Sequence, residues 1–295
     1  MTLGNENAIE AMDVGKRYRS FWALRDCNIT VPMGSVSALV GPNGAGKTTL
    51  LKLLAGLNRP SAGHLTVLAQ SPSRTTQYLS GIGYLAQETP LYSNFTAADH
   101  FRIGAHLDAD WDNALAVERL SELRIPLDRP VGELSGGQRS QVGLAMALSK
   151  KPKLLVLDEP VAALDPLARV DFLATLAQAV SDADGALTVV MSSHLLADLE
   201  RISDHVILLA SGETQLCGSI DDVLETHKVL VGSSNELPRA DGCVVIKESR
   251  SSTTAHLLVR LDPGLDIPGW HVRSADIEEI VLAYMEQNRG KAGAR

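Results

Sequence analysis

At 295 residues the chain exceeds the usual single-domain size, so one large domain with an appendage, or two domains, is expected. Hydrophobic residues at 45% and charged residues at 21% are ordinary for a globular protein and exclude collagen-like, disordered and disulfide-scaffold classes. The net charge of −8, with Lys and Arg scattered along the chain, disfavours indiscriminate binding to phosphate backbones, and no nucleic-acid partner is expected.

The first twenty residues are acidic and polar where a secretory signal would carry a basic stretch and then an apolar run, so export of the chain is not expected. Residues 8–41 read as short β-type runs with polar breaks, ending in Ser35-Val36-Ser37-Ala38-Leu39-Val40, a strand that runs into a glycine-rich turn. A helix follows at residues 47–56, KTTLLKLLAG, with leucines at helical spacing and a glycine where the helix should stop. From about residue 95 to residue 151 alanine and leucine recur at helical periods, broken by Pro126 and Pro130, which predicts a helical insertion in an α/β framework.

Residues 154–157, 187–191 and 205–210 are continuous apolar runs, the pattern of parallel strands covered on both faces. Near Leu224 the character changes to Ser/Thr-rich stretches, candidate strands at 244–247 and 256–261, and a closing helix over about 274–288. The division drawn is residues 1–223 as the main domain and 224–295 as a small α+β accessory region. No apolar stretch approaches the roughly 18 residues of a spanning helix, so if a membrane is involved another chain crosses it. Cys27, Cys217 and Cys243 are odd in number and widely spaced, with neither CxxC nor histidine partners, and read as buried free thiols.

The strongest local signal is Gly41-Pro42-Asn43-Gly44-Ala45-Gly46-Lys47-Thr48, followed by Thr49, a full match to the phosphate-binding GxxxxGK[ST] pattern between a strand and a helix. The glycines let backbone N–H groups turn toward phosphates, and the helix presents its partly positive N-terminus. Lys47 is expected on the β- and γ-phosphates, and the Thr48 hydroxyl on Mg²⁺. Farther on, the apolar run at 154–157 ends in Asp158-Glu159, which places two carboxylates at the ligand-binding edge of a parallel sheet. Asp158 is expected to support Mg²⁺ and Glu159 to polarise an attacking water.

Leu134-Ser135-Gly136-Gly137-Gln138, a short helix's length before that strand, narrows the reading. It resembles the signature sequence of the ABC ATPase family, and neighbouring residues resemble that family's other motifs in order, over about residues 8–218. The resemblance implies an α/β P-loop NTPase with an ABC-type helical subdomain at about 95–150 and an antiparallel β subdomain. It also implies ATP and Mg²⁺ as ligands, with Tyr18 stacking on adenine and Gln87 sensing Mg²⁺ and touching a membrane subunit. Asp165 would be the D-loop aspartate and His194 the switch histidine on the γ-phosphate. Phe21 or Trp22 would also serve as the stacking aromatic. Departures are Met146, where many relatives carry arginine, and the D-loop Ala162-Ala163-Leu164-Asp165, with alanine where serine is frequent.

Ser135 and the adjoining glycines offer hydroxyl and backbone donors at a helix start, a second phosphate clamp. Each motif occurs once, and the resemblance implies that the signature faces the P-loop of a second such chain, identical or closely paralogous, in a two-ATP sandwich. Separate membrane-spanning permease subunits and a peripheral place at the cytoplasmic face of the membrane are implied as well. The segments 83–112, 192–196 and 278–284 most resemble bacterial drug or antibiotic exporter subunits, which favours export. The alternative is a non-transport ABC ATPase acting on ribosomes or DNA. Those relatives usually carry two modules, zinc-binding cysteines or a long coiled coil, none of which this sequence shows. A nucleotide-gated scaffold without useful hydrolysis is disfavoured by the presence of both Glu159 and His194.

Overall fold

The computed structural model describes residues 7–193, 202–234, 241–262, 264–265 and 267–292. The chain opens with two twelve-residue strands, β1 (Asn7–Tyr18) and β2 (Phe21–Pro32), joined by a two-residue turn into one long antiparallel hairpin. The polar breaks expected to separate short strands are irregularities within these long ones. Asp13 and Asp26 adopt φ of 50° and 48°, and the pairing register shifts along the hairpin. Asp13 and Asn28 exchange two hydrogen bonds of 3.0 Å, so their polar groups are satisfied on the exposed face. With β4 (Ala62–Val67) the hairpin forms a three-stranded antiparallel sheet in the order β2-β1-β4.

The central sheet contains β3 (Val36–Val40), β5 (Ile82–Leu85), β6 (Leu154–Leu157), β7 (Thr188–Ser192), β8 (His205–Ala210) and β9 (Glu213–Ser219), in the order β5-β6-β7-β3-β8-β9. All neighbours are parallel except β9, which runs antiparallel to β8. The continuous apolar strands are explained by two separate cores. On one face Leu39, Val156, Val190 and Ile207 meet α1 (Lys47–Leu54) and the antiparallel sheet. On the other, Val40, Leu155, Val189 and Leu208 meet α5 (Gly136–Ser149) and α6 (Pro166–Asp182), with Leu144, Phe172 and Leu176 fully buried. Alternation at period two thus buries both faces of each strand.

The insertion between β5 and β6 is helical as expected. After α2 (Thr76–Ser80), which precedes β5, it holds α3 (Ala97–Leu107), α4 (Asn113–Glu122) and α5. Thr96 and Asp99 form a capping box at the start of α3, and Asp112 caps α4. Phe101, Ala116, Leu120 and Val142 build a small core of their own, and Met146 packs against it. Pro126 and Pro130 fall in the connection between α4 and α5, consistent with their exclusion from helix interiors.

The last part holds α7 (Ile220–Thr226), β10 (His227–Ser233), β11 (Cys243–Arg250), β12 (Thr254–Leu261), β13 (His271–Ser274) and α8 (Ile277–Ala292). The strands form an antiparallel sheet in the order β11-β12-β10-β13. One face, through Val229 and Leu258, joins Ile280 and Tyr284 of α8 in the core that also contains Phe172 and Val206. The other face, with Leu230, Leu257 and Val259, packs beneath Ile267 and Trp270. Residue 224 lies within α7, whose Val223 belongs to the shared core. Of the thiols only Cys27 is fully buried; Cys217 and Cys243 are half-buried, and burial pushes all three above the ordinary thiol value.

Candidate functional site

The phosphate loop leaves β3 at the C-terminal edge of the sheet and enters α1 directly. Gly41 and Gly46 carry φ of 152° and 103°. A Cβ on Gly41 would meet the Leu209 carbonyl at 2.2 Å, and one on Gly46 the Ala23 carbonyl at 2.7 Å, so both positions need glycine for conformation and for space. Gly46 is the N-cap of α1 and makes no side-chain cap, which leaves the first turn to face a ligand.

A cavity of about 710 Å³ opens over this turn. It is lined by Asn43, Gly44, Ala45, Gly46, Lys47, Thr48 and Thr49, by Gln87 and Glu159, and at one side by Tyr18 and Phe21. Gly41 and Pro42 sit beneath it, where their carbonyls accept from Lys47 Nζ at 2.8 and 3.5 Å. The ammonium also lies 3.5 Å from Glu159 Oε1, and both side chains are almost buried. Lys47 is therefore held at the floor by groups that a phosphate would join or replace.

Asp158 is buried at the end of β6, where its backbone N–H donates to the Leu85 carbonyl at 2.9 Å. Its Oδ1 accepts from the Thr48 hydroxyl at 3.1 Å and the Ser192 hydroxyl at 3.0 Å. Ser192 in turn accepts from the Glu159 N–H at 2.8 Å. Glu159 has φ of 47°, a left-handed conformation that a non-glycine residue adopts only when surrounding contacts hold it. Burial, with Asp158 beside it, pushes the Tyr84 phenol up to about 12. Thr48, Asp158 and Gln87 thus offer oxygen donors next to the phosphate loop, a set that fits Mg²⁺, which binds through one or two carboxylates and completes its shell with phosphate and water. Among the described residues no group of three or more His, Cys, Asp or Glu is placed to hold a metal ion.

Tyr18 and Phe21 are partners across the hairpin tip, so both rings stand on one face of the ribbon. Asn58 Nδ2 donates to the Tyr18 hydroxyl at 2.8 Å, and Lys16 Nζ lies 5.2 Å from its ring centre. Trp22 instead has the guanidiniums of Arg25 and Arg17 at 5.7 and 5.9 Å from its ring centre and is not part of the cavity lining.

The signature is placed elsewhere. Ser135 caps α5, accepting from the Gln138 N–H at 3.2 Å while its own N–H donates to Gln138 Oε1 at 3.0 Å. Asp165 caps α6 by accepting from the N–H groups of Leu167 and Ala168. A Cβ on Gly137 would lie 2.7 Å from the Ala168 Cβ, so the two helix starts adjoin. Ser135, Gly136 and Asp165 are solvent-exposed, and among the described residues none of Ser135, Gly136, Gly137, Gln138 and Asp165 lines the cavity. His194 lies outside the described residues.

A second, apolar groove of about 570 Å³ separates the sheet edge from the helical insertion, with Tyr84, Pro90, Leu91, Leu107, Trp111 and Met146 in its walls. The segment after Gln87 therefore runs from the phosphate-loop cavity into this groove. Ser192 and the groove were not foreseen from sequence, since each is made by residues distant along the chain. Among the described residues no helix is long and apolar enough to cross a membrane.

The family described as "ABC transporter" matches residues 24–162, which contain the phosphate loop, the signature and the paired acids. The sulfate/thiosulfate import ATP-binding protein CysA of Mycobacterium bovis is 35% identical over 226 residues, covering 74% of this chain and 63% of that protein. An uncharacterized ABC transporter ATP-binding protein, all4389 of a Nostoc species, is 34% identical over 238 residues, covering 76% of this chain and 70% of its own length. Among solved structures, one described as the ATP binding subunit of an ABC transporter superposes with a TM-score of 0.65 at 29% identity, over 73% of this chain and 91% of that one. The chain thus spans a little under two thirds of the CysA protein, and the import name gives no support to the exporter resemblance read from sequence. The chain belongs to the family of ABC transporter ATP-binding proteins.

Proposed function

We propose that this chain binds and hydrolyses ATP as the nucleotide-binding subunit of an ABC transporter, working as a pair of chains beneath separate membrane-spanning subunits. The observation that carries the reading is the meeting of the phosphate loop and Glu159 in one cavity, with Asp158 buried beside it on the Thr48 hydroxyl, while the signature stays outside it. A nucleotide seated on α1 has the phosphate loop on one side and an open mouth on the other. The exposed Ser135 and Gly136 of a second chain would close that mouth, and two chains would thereby complete two sites.

In the bound state Lys47 turns its ammonium to the β- and γ-phosphates, and Glu159, freed from Lys47, orients and polarises the attacking water. Thr48, Asp158 and Gln87 would hold Mg²⁺, which would supply positive charge to offset that of the phosphates. Tyr18 receives the base, and Asp165 and His194 complete the closed pair as the family resemblance implies. Closure of the pair is then passed along the segment from Gln87 to Leu91 into the apolar groove, which would receive a helix of the membrane partner. Residues 224–295 form an accessory region attached through the shared core.

The test compares wild type with Glu159→Gln. The variant should bind ATP, run as a dimer on size exclusion with ATP, and turn over at least about a hundredfold more slowly. Wild-type turnover in that variant would sink the assignment of Glu159. Purification in mild detergent should bring down a stoichiometric polytopic membrane chain; ribosome or DNA association in its place would favour the non-transport reading.

A further inference from the structure

Ser192 ends β7, a strand whose five residues are all buried between β6 and β3. It is fully buried, and a hydroxyl in that position must find partners inside the protein. Packing alone would be served by valine, the better strand former on an apolar sheet. The hydroxyl instead makes two directed bonds at the sheet edge that carries the site. It donates to Asp158 Oδ1 at 3.0 Å and accepts from the Glu159 N–H at 2.8 Å, while Thr48 donates to the same Oδ1 at 3.1 Å.

The consequence concerns Glu159. Its φ of 47° requires an external hold, and its backbone N–H is bound by the side-chain hydroxyl of Ser192. Asp158 and Glu159 are adjacent in sequence but have separate tasks, one facing Thr48 and the other lying 3.5 Å from Lys47 Nζ. An extended backbone sends successive side chains to opposite faces, so the left-handed turn is what lets both acids reach the start of α1, Asp158 at Thr48 and Glu159 at Lys47. We propose that Ser192 is a positioning residue for hydrolysis: its hydroxyl ties the Asp158 carboxylate to the Glu159 backbone and so sets the direction of the Glu159 side chain. This rests on the ATP-hydrolysing function proposed above.

The experiment uses the full chain with Ser192→Ala and Ser192→Thr, the latter retaining a hydroxyl on a strand-forming side chain. Three quantities are read: the ATP dissociation constant, kcat, and amide hydrogen exchange at Glu159 against residues 154–157. Ser192→Ala should lower kcat at least about tenfold with the ATP dissociation constant within about twofold of wild type, because only a group aimed at the transition state is displaced. Its Glu159 amide should exchange faster while the β6 amides stay protected, and Ser192→Thr should restore both quantities. Wild-type kcat in Ser192→Ala would overturn the proposal. So would a parallel loss of binding and turnover that threonine does not repair, since that marks a packing role. An unchanged Glu159 amide in Ser192→Ala would refute the bridge itself, whereas a wild-type chain that neither binds nor hydrolyses ATP would refute the function and leave the exchange result standing.

Discussion

Truncation of Phe21 to alanine is expected to weaken ATP binding at least as much as truncation of Tyr18, although the family resemblance assigns the base to Tyr18. The two rings face each other across the hairpin tip and both line the cavity, but Phe21 is 66% exposed against 43% for Tyr18. With roughly 200 Å² per aromatic side chain, a base covering half of the open part of Phe21 removes about 65 Å² from water. At 25 cal/mol per Å² that is about 1.6 kcal/mol, or roughly fifteenfold in the dissociation constant. The same reasoning for Tyr18, already held by Asn58, gives about 1 kcal/mol and roughly fivefold. Titration calorimetry with ATP reads the effect, and inorganic tripolyphosphate, which has no base, should bind wild type and both variants alike. If Phe21→Ala binds ATP as wild type does while Tyr18→Ala weakens, the area argument fails and Tyr18 alone receives the base.

Three further outcomes are expected. Lys47→Ala should abolish most binding of both ATP and tripolyphosphate in the same calorimeter, because it removes the buried cation at the cavity floor; retained tripolyphosphate affinity would contradict that placement. Tyr284→Phe should cost about 1–2 kcal/mol in urea unfolding, since the Tyr284 hydroxyl, 3.0 Å from His227 Nε2, ties α8 to β10 and its loss strands a buried acceptor; a cost below about 0.5 kcal/mol would show that the bond adds nothing net. Acid should weaken the fold in a defined window. Burial holds His227 below the ordinary histidine value of 6.5, helped by Arg260 and Lys228, and burial also lowers His205. Between the folded-state values and 6.5 the unfolded chain binds more protons, so stability is full above 6.5, declines as pH falls below it, and levels off beneath the folded-state values. His227→Gln should flatten part of that slope in denaturant titrations run across pH 5–7, and an unaltered slope would assign the effect elsewhere.

Residues 41–49 were legible in the sequence because the backbone geometry of a phosphate loop demands particular residues in unbroken order. Gly41 and Gly46 are needed for local conformation, and Lys47 for its place in the first turn of the helix that follows. The interior strands β6, β7 and β8 were legible for a similar reason, since covering both faces of a strand requires a continuous apolar run. The edges were not. β9, ETQLCGS, is half-buried along most of its length and carries no such run. β1 and β2 were broken into short pieces because the acids at their irregularities look like turn residues until the partner strand shows what they pair with.

For the site, sequence order placed Asp158 and Glu159 at a strand end, and chemistry assigned them to the Mg²⁺ shell and the attacking water. What order alone did not reveal is that Ser192, 34 residues past Asp158, bridges them, because parallel strands bring distant residues into register only once the sheet is assembled. The same holds for the signature. Leu134-Ser135-Gly136-Gly137-Gln138 announces a phosphate clamp by its composition, yet only the tertiary structure puts it at the exposed start of α5, outside the cavity that holds Lys47. A contiguous motif carries its own backbone geometry, whereas the distance between two motifs is decided by how the elements between them pack.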